Sequence, residues 1–232
     1  MHPTIRPAVP SDMPQIRSIN THYIRNTVLT FVQNPPLAAT YGAKFEDITG
    51  RGLPYLVAVA EKTGTDDRSG DGNDESGGLV LGYAYLAPFR GTMLSYASTV
   101  ELTLYARPGY HSQGVGSRLL DALLEAARGA RHLGSEVTES ELGETHTPGG
   151  DNTPEEKTKV EKVFAVDPED GKPGARIRSI MAIMAVDPEG PDHGDALRRW
   201  YVNRGFVERG KMEKVGFKRG FWVDTVCLQY MM

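Results

Sequence analysis

The chain has 232 residues and a formal charge of −4, with 26 basic against 30 acidic side chains. That is the size of one α/β domain with insertions, and no dense basic stripe marks it for nucleic acid. Its single cysteine, Cys227, rules out an internal disulfide and offers no Cys pair at zinc-ligand spacing, so no metal is expected. The opening Met1-His2-Pro3-Thr4-Ile5-Arg6 lacks the apolar run of a secretory signal, and no stretch is long enough to span a bilayer. A soluble, cytoplasmic protein with neither nucleic acid nor membrane as partner is the expectation.

Ile5-Arg6-Pro7-Ala8 reads as a short opening strand. Pro10-Ser11-Asp12 supplies a turn and N-cap for a helix carrying Met13, Ile16, Ile19, Tyr23 and Ile24 at amphipathic spacing. Asn34-Pro35-Pro36 breaks it, and a weaker helical stretch follows from Leu37 to Ile48. Tyr55–Ala60 and Leu79–Leu86 have the β-branched and aromatic content of strands and together form a hairpin. Between them, Thr63 to Gly78 is almost wholly Gly, Asp, Ser, Thr and Asn, which cannot bury apolar area and reads as a mobile surface loop.

Thr99–Ala106 is a third strand, ended by Arg107-Pro108-Gly109-Tyr110. A helix begins near Gly116, presents Leu119, Leu120, Leu123, Leu124 and Ala127 on one face, and runs out around Gly134. Ser135 to Ala175 has no sustained period and forms a long insertion, with a short strand at Val163–Val166; whether it is disordered or a lid stays open. Ile177–Val186 is a nearly continuous apolar strand that belongs inside the sheet. Asp195 caps a short helix with Leu197, Trp200, Tyr201 and Val202 that stops at Gly205, and strands at Phe206–Gly210 and Phe221–Leu228 close the chain.

The most informative local element is the strand–turn–helix from Leu104 to Leu119. Gly114 and Gly116 let backbone N–H groups converge at a helix N-terminus, an arrangement suited to a diphosphate. No Gly-Lys-Ser/Thr follows, and the third glycine of a dinucleotide fingerprint is missing at its spacing. The turn alone is a weak signal; the order of elements around it is stronger. A strand with Glu101, the turn, a long amphipathic helix, an apolar strand and then Trp200-Tyr201-Val202-Asn203-Arg204-Gly205-Phe206 resembles the GNAT superfamily of N-acetyltransferases. Within it, the phosphinothricin and related amino-acid N-acetyltransferases are the nearer likeness. His22-Tyr23-Ile24 with Phe31, then Tyr96 with Thr99-Val100-Glu101, then Gly216-Phe217-Lys218 with Gly220, Trp222 and Asp224 carry it.

That resemblance implies an α/β (α+β) fold with a central mixed, mostly antiparallel splayed sheet flanked by helices. Residues 1–232 form a single domain, with insertion loops at about 62–78 and 135–175. It implies acetyl-CoA as cosubstrate and a small-molecule amine, an amino acid or analogue, as acceptor. By analogy with relatives it also implies a homodimer. Glu101 becomes the base, acting through a water, and Thr103 shares its face of the strand. Tyr201, four residues before Gly205-Phe206, becomes the proton donor to the thiolate, where the nearer family often has His.

The same resemblance gives Leu104 and Ala106 backbone contacts to the pantetheine arm, and His111, Ser112, Gln113, Gly114, Val115, Gly116 and Ser117 the phosphate turn. Two positions depart from the pattern: His111 stands where Gln or Arg is usual, and Gly194 stands where Asn is frequent. Phe31, Phe89 and Tyr96 are candidate walls of the acceptor pocket. The Arg that phosphinothricin-type enzymes carry for an acidic group falls at Thr92 or Met93, which leaves Arg90 as its substitute. Two alternatives stay open: acetylation of a protein or peptide amine, and a non-catalytic acyl-CoA-binding regulator on the same fold.

Overall fold

The computed structural model describes residues 3–60, 78–91, 93–141 and 158–232. Four α-helices are present among them: α1 (Met13–Asn26), α2 (Ala38–Gly50), α3 (Val115–Gly129) and α4 (Asp195–Val202). The strands are β1 (Thr4–Pro7), β2 (Tyr55–Val59), β3 (Val80–Pro88), β4 (Thr99–Ala106), β5 (Arg131–His132) and β6 (Ser135–Glu141). They continue with β7 (Thr158–Phe164), β8 (Ala175–Arg176), β9 (Ser179–Ala185), β10 (Val207–Lys218) and β11 (Phe221–Met231). Seven of them make one sheet in the order β1-β2-β3-β4-β9-β11-β10. Every neighbouring pair is antiparallel except β4 with β9.

The apolar periods have the predicted result. Met13, Ile16, Ile19, Tyr23 and Ile24 of α1 are buried on one face of the sheet. Leu119, Leu120 and Leu123 of α3 are fully buried, each contributing about 1.5–3 kcal/mol by leaving water. Asp12 is buried too, accepting both Arg6 guanidinium bonds (2.7 and 2.8 Å) and the Val9 N–H (2.8 Å), so it ties β1 to the start of α1.

Two expectations change. The helix after the glycine turn stops at Gly129 rather than near Gly134, because Arg131 and His132 are drawn into a short ladder with Ala175 and Arg176. There Arg131 meets Asp170 and the Gly174 carbonyl, and His132 Nδ1 lies 2.8 Å from the Ala97 carbonyl. The 135–175 stretch, read as aperiodic, contains an antiparallel arm. Ser135–Glu141 pairs residue for residue with Thr158–Phe164. Its foot is closed by a Val166–Pro173 bridge and by the Arg131 and Arg176 guanidiniums, which hold the Asp170 carboxyl well below the usual carboxylate range. Strand pairing by a mostly polar sequence leaves no apolar alternation to read, which is why the pattern missed it. Residues 142–157 and 61–77 lie outside the described residues, and with the latter all of the expected Thr63–Gly78 surface loop except Gly78.

The feature that makes a site is a divergence. The parallel pairing of β4 with β9 covers three positions, Thr99↔Ser179, Val100↔Ile180 and Glu101↔Met181. β4 stays paired with β3 as far as Ala106, and β9 with β11 as far as Ala185. Beyond Glu101 the two halves of the sheet therefore separate.

Candidate active site

A cavity of about 920 Å³ occupies this split. Backbone alternation decides what β4 offers it. Arg107 donates its N–H to the Leu81 carbonyl and Phe89 donates to the Thr99 carbonyl, so odd-numbered residues of β4 bond toward β3. The N–H and C=O groups of Leu104 and Ala106 then face the gap toward β9. Leu104 and Ala106 line the cavity, and the Ala106 carbonyl is already engaged by the Tyr23 hydroxyl at 2.7 Å.

The glycine turn lies at one end. Gly109, Ser112 and Gly114 all have left-handed backbones (φ 86°, 59° and 81°), which swings the chain sharply into α3. Gly114 is the N-cap, and no side chain caps the helix, so its first N–H groups are open. Around Gly116 an added Cβ would sit 3.7 Å from Leu104 and from Trp200, which is ordinary contact; a larger side chain would project into the cavity. Arg204, stacked 4.2 Å over Trp200, donates to Ser117 Oγ at 2.6 Å and locks α4 against the turn. His111, Ser112, Gly114, Gly116 and Ser117 line the cavity. Gln113 turns back to the Gly109 carbonyl (3.0 Å), and Val115 is buried in the core. His111 Nε2 lies 2.7 Å from the Tyr23 oxygen. With its one proton given to Ala106, that oxygen accepts from His111, fixing the Nε2–H tautomer.

Glu101 and Thr103 share one strand face with Tyr85, Tyr83 and Tyr105, since residues opposed across antiparallel strands point the same way. Glu101 is half-buried, and burial raises its carboxyl above the ordinary value while the charge of Lys44 pulls the other way. Tyr201 enters the cavity from α4. Its ring is wedged between Trp200 (4.9 Å) and Phe206 (5.1 Å), and burial pushes its phenol up to about 12. Its hydroxyl has no hydrogen-bond partner among the described residues.

At the other end, Phe31 lines the cavity on the loop after α1. The C-terminal hairpin holds that loop. Lys218, buried and with its ammonium disfavoured by desolvation, donates to the Thr30 carbonyl (2.6 Å), and Gln33 donates to the Phe217 carbonyl (2.9 Å). The Phe31 ring occupies the space above Gly216, where a Cβ would come within 2.2 Å of it. Gly216→Val is therefore expected to dislodge Phe31, raising the acceptor KM about tenfold while leaving the cosubstrate KM within about twofold; steady-state kinetics with each substrate varied checks it. Phe89, Arg90 and Tyr96 are placed differently. They pack on one another, the Phe89 and Tyr96 rings at 5.5 Å and Arg90 5.8 Å over Phe89, and do not line the cavity. Thr92 lies outside the described residues, and Met93 is exposed.

Residues 40–146, which include Glu101 and the turn, match the family model for the Acetyltransferase (GNAT) family. Across 97% of this chain and 81% of its own length, a phosphinothricin N-acetyltransferase from Alcaligenes faecalis is 27% identical. An L-methionine sulfoximine/L-methionine sulfone acetyltransferase from Pseudomonas aeruginosa is 32% identical over 55% of this chain and 65% of that protein. A crystal structure of a GNAT superfamily phosphinothricin acetyltransferase from Sinorhizobium meliloti, in complex with AcCoA, superposes with a TM-score of 0.66. That structure is 26% identical and covers all of this chain and 89% of that one. Residues 40–146 carry the match to a GNAT acetyltransferase, and the fold of the whole chain follows that of the solved GNAT enzyme.

The split sheet is thus the GNAT fold, and the two departures from the GNAT pattern have local causes. Gly194 has φ 87° as N-cap of α4, and a Cβ there would meet the Asp187 backbone nitrogen and the Val186 side chain at 2.9 Å, so no side chain fits without a shift. His111 is tied to α1 through Tyr23, a bond with no signature in the sequence. Lys44 and Tyr85, both on the cavity wall beside Glu101, also escaped the sequence reading. Among the described residues no group of His, Cys, Asp and Glu could hold a metal, and no helix is long and apolar enough to cross a membrane.

Proposed function

We propose that this GNAT domain transfers the acetyl group of acetyl-CoA directly to the primary amine of a small molecule, an amino acid or analogue. The observation that carries it is one cavity lined by an uncapped helix N-terminus, a desolvated carboxyl and an unpartnered buried phenol. The donor set fits the cosubstrate: the open N–H groups from Gly114 to Ser117 suit its diphosphate, and the bare Gly116 leaves room beside Trp200. The gap-facing amides of Leu104 and Ala106 suit its pantetheine as an added strand, with the Ala106 carbonyl withheld by Tyr23.

Acetyl-CoA supplies a thioester carbonyl for the amine to attack. Glu101 takes a proton from the acceptor ammonium through a water, giving the nitrogen its lone pair. Desolvation suits the carboxylate to that task by making it a stronger base. As the carbon–nitrogen bond forms and the carbon–sulfur bond breaks, the nitrogen releases its second proton to solvent, while Tyr201 gives its own proton to the departing sulfur and regains one from solvent. Burial keeps Tyr201 a neutral donor at any working pH.

A thiol-release assay with acetyl-CoA over a panel of amino acids, simple amines and peptides tests this. Turnover on free amino acids or amines is expected. Turnover on peptides alone would replace the reading with a peptide acetyltransferase, and tight acetyl-CoA binding without thiol release on any amine would replace it with a regulator.

A further inference from the structure

We infer that Lys44, with the Tyr85 hydroxyl, binds a carboxylate of the acceptor, so that the substrates are free α-amino acids rather than simple amines or peptide N-termini. This deepens the proposed function and rests on Glu101 receiving the acceptor amine.

Lys44 is the one lysine or arginine that lines the cavity among the described residues. It reaches in from α2, its Nζ donating to the Tyr85 oxygen at 2.5 Å and lying 4.6 Å from the centre of the Tyr85 ring. Since that oxygen accepts from Lys44, the phenol proton of Tyr85 points away from it, and no described residue receives it. An ammonium and a free O–H, both donors, thus converge on the wall of the cavity that also holds Glu101 and Thr103. A carboxylate is the ligand whose two oxygens accept from such a pair.

Spacing supports the same occupant. The amine and carboxylate of an α-amino acid sit on one carbon, so the groups that read them must be neighbours. Lys44 is near enough to Glu101 for its charge to act on that carboxyl. A peptide N-terminus or a simple amine brings no anion to the same place and leaves the Lys44 charge without a partner. Neither Arg90 nor any other described arginine lines the cavity to serve instead.

The test compares L-methionine sulfone and the twenty standard L-amino acids, each against its carboxamide, in wild type, Lys44→Met and Lys44→Arg. Turnover is measured at a pH on the plateau of the rate profile, and binding is measured by calorimetry on enzyme loaded with CoA. Wild type should prefer the acid to its carboxamide by about 30-fold in acceptor kcat/KM and in affinity. Lys44→Met should abolish that preference with CoA affinity unchanged, and Lys44→Arg should restore part of it.

If Lys44 serves only to set the Glu101 ionisation, Lys44→Met moves the acidic limb of the profile upward for acid and carboxamide alike and preserves their ratio, which overturns the proposal. Equal binding of acids and carboxamides by wild type, or binding of neither, also overturns it. Turnover on carboxamides and simple amines without discrimination would sink the Lys44 assignment and leave the acetyltransferase reading standing. Absence of any turnover would sink that reading, while calorimetry would still report on Lys44.

Discussion

Glu101→Gln is expected to lower kcat/KM at neutral pH by about 10²–10³-fold, within the range for removal of a general base, with CoA affinity changed by less than about twofold. Glutamine keeps the shape and the half-buried seat on β4 but has no basic oxygen. The wild-type profile should rise with pH through the Glu101 ionisation, because only the carboxylate accepts a proton. That limb should lie above the ordinary carboxylate range, since burial raises the carboxyl and Lys44 offsets the rise only in part. In Glu101→Gln the limb should vanish, leaving any residual rate to follow ionisation of the acceptor amine alone. A rate equal to wild type, with the limb intact, would remove Glu101 from the mechanism. Titration of CoA into the variant separates loss of chemistry from loss of binding.

Tyr201→Phe should lower kcat about 10²-fold, with little change in either KM. Phenylalanine keeps the edge contacts with Trp200 and Phe206, so thermal stability should stay close to wild type. The hydroxyl has no hydrogen-bond partner among the described residues, and its removal strands no protein group. A loss of rate would therefore report on the departing sulfur and not on packing. Because the phenol is pushed up to about 12, wild type should show no descending limb from Tyr201 below about pH 11. An acceptor series of graded nucleophilicity adds a further check: the Tyr201→Phe deficit should be largest where breakdown of the carbon–sulfur bond limits the rate. A variant that matches wild type on every acceptor would show that the proton comes from elsewhere.

The elements that hold these two residues were legible because each buries a regular apolar stripe. β4 was predicted at Thr99–Ala106 and is found there; the α1 core face matches residue for residue, and the α3 face does so with Val115, read as part of the phosphate turn, added to it. The turn was legible from its glycines: Gly114 takes a left-handed backbone that few other residues adopt, and Gly116 keeps side-chain bulk out of the helix start. Lys44 was not, because α2 is weakly amphipathic: only Ile48 is buried in it, and a lysine on such a helix reads as solvated. The clustering of Phe89, Arg90 and Tyr96 away from the cavity depends on where the β3–β4 connection folds, which no local period encodes. The resemblance supplied Gly216-Phe217-Lys218 as a motif without a reason; packing supplies one, since it seats the loop that carries Phe31.

That seat joins residues far apart in the chain. Lys218 reaches Thr30 across 188 positions and Gln33 reaches Phe217 across 184. Asp224 fixes the hairpin between them, accepting the Lys214 N–H at 2.9 Å and the Lys211 ammonium at 2.7 Å where the β10–β11 register shifts. Closing so long a loop is entropically slow. The wall around Phe31 is therefore among the last parts of the molecule to assemble. During synthesis it has no support until the hairpin that carries Gly216 and Lys218 has emerged. In refolding, recovery of acceptor binding should trail recovery of helical signal, and a chain that has regained its helices is not yet an enzyme.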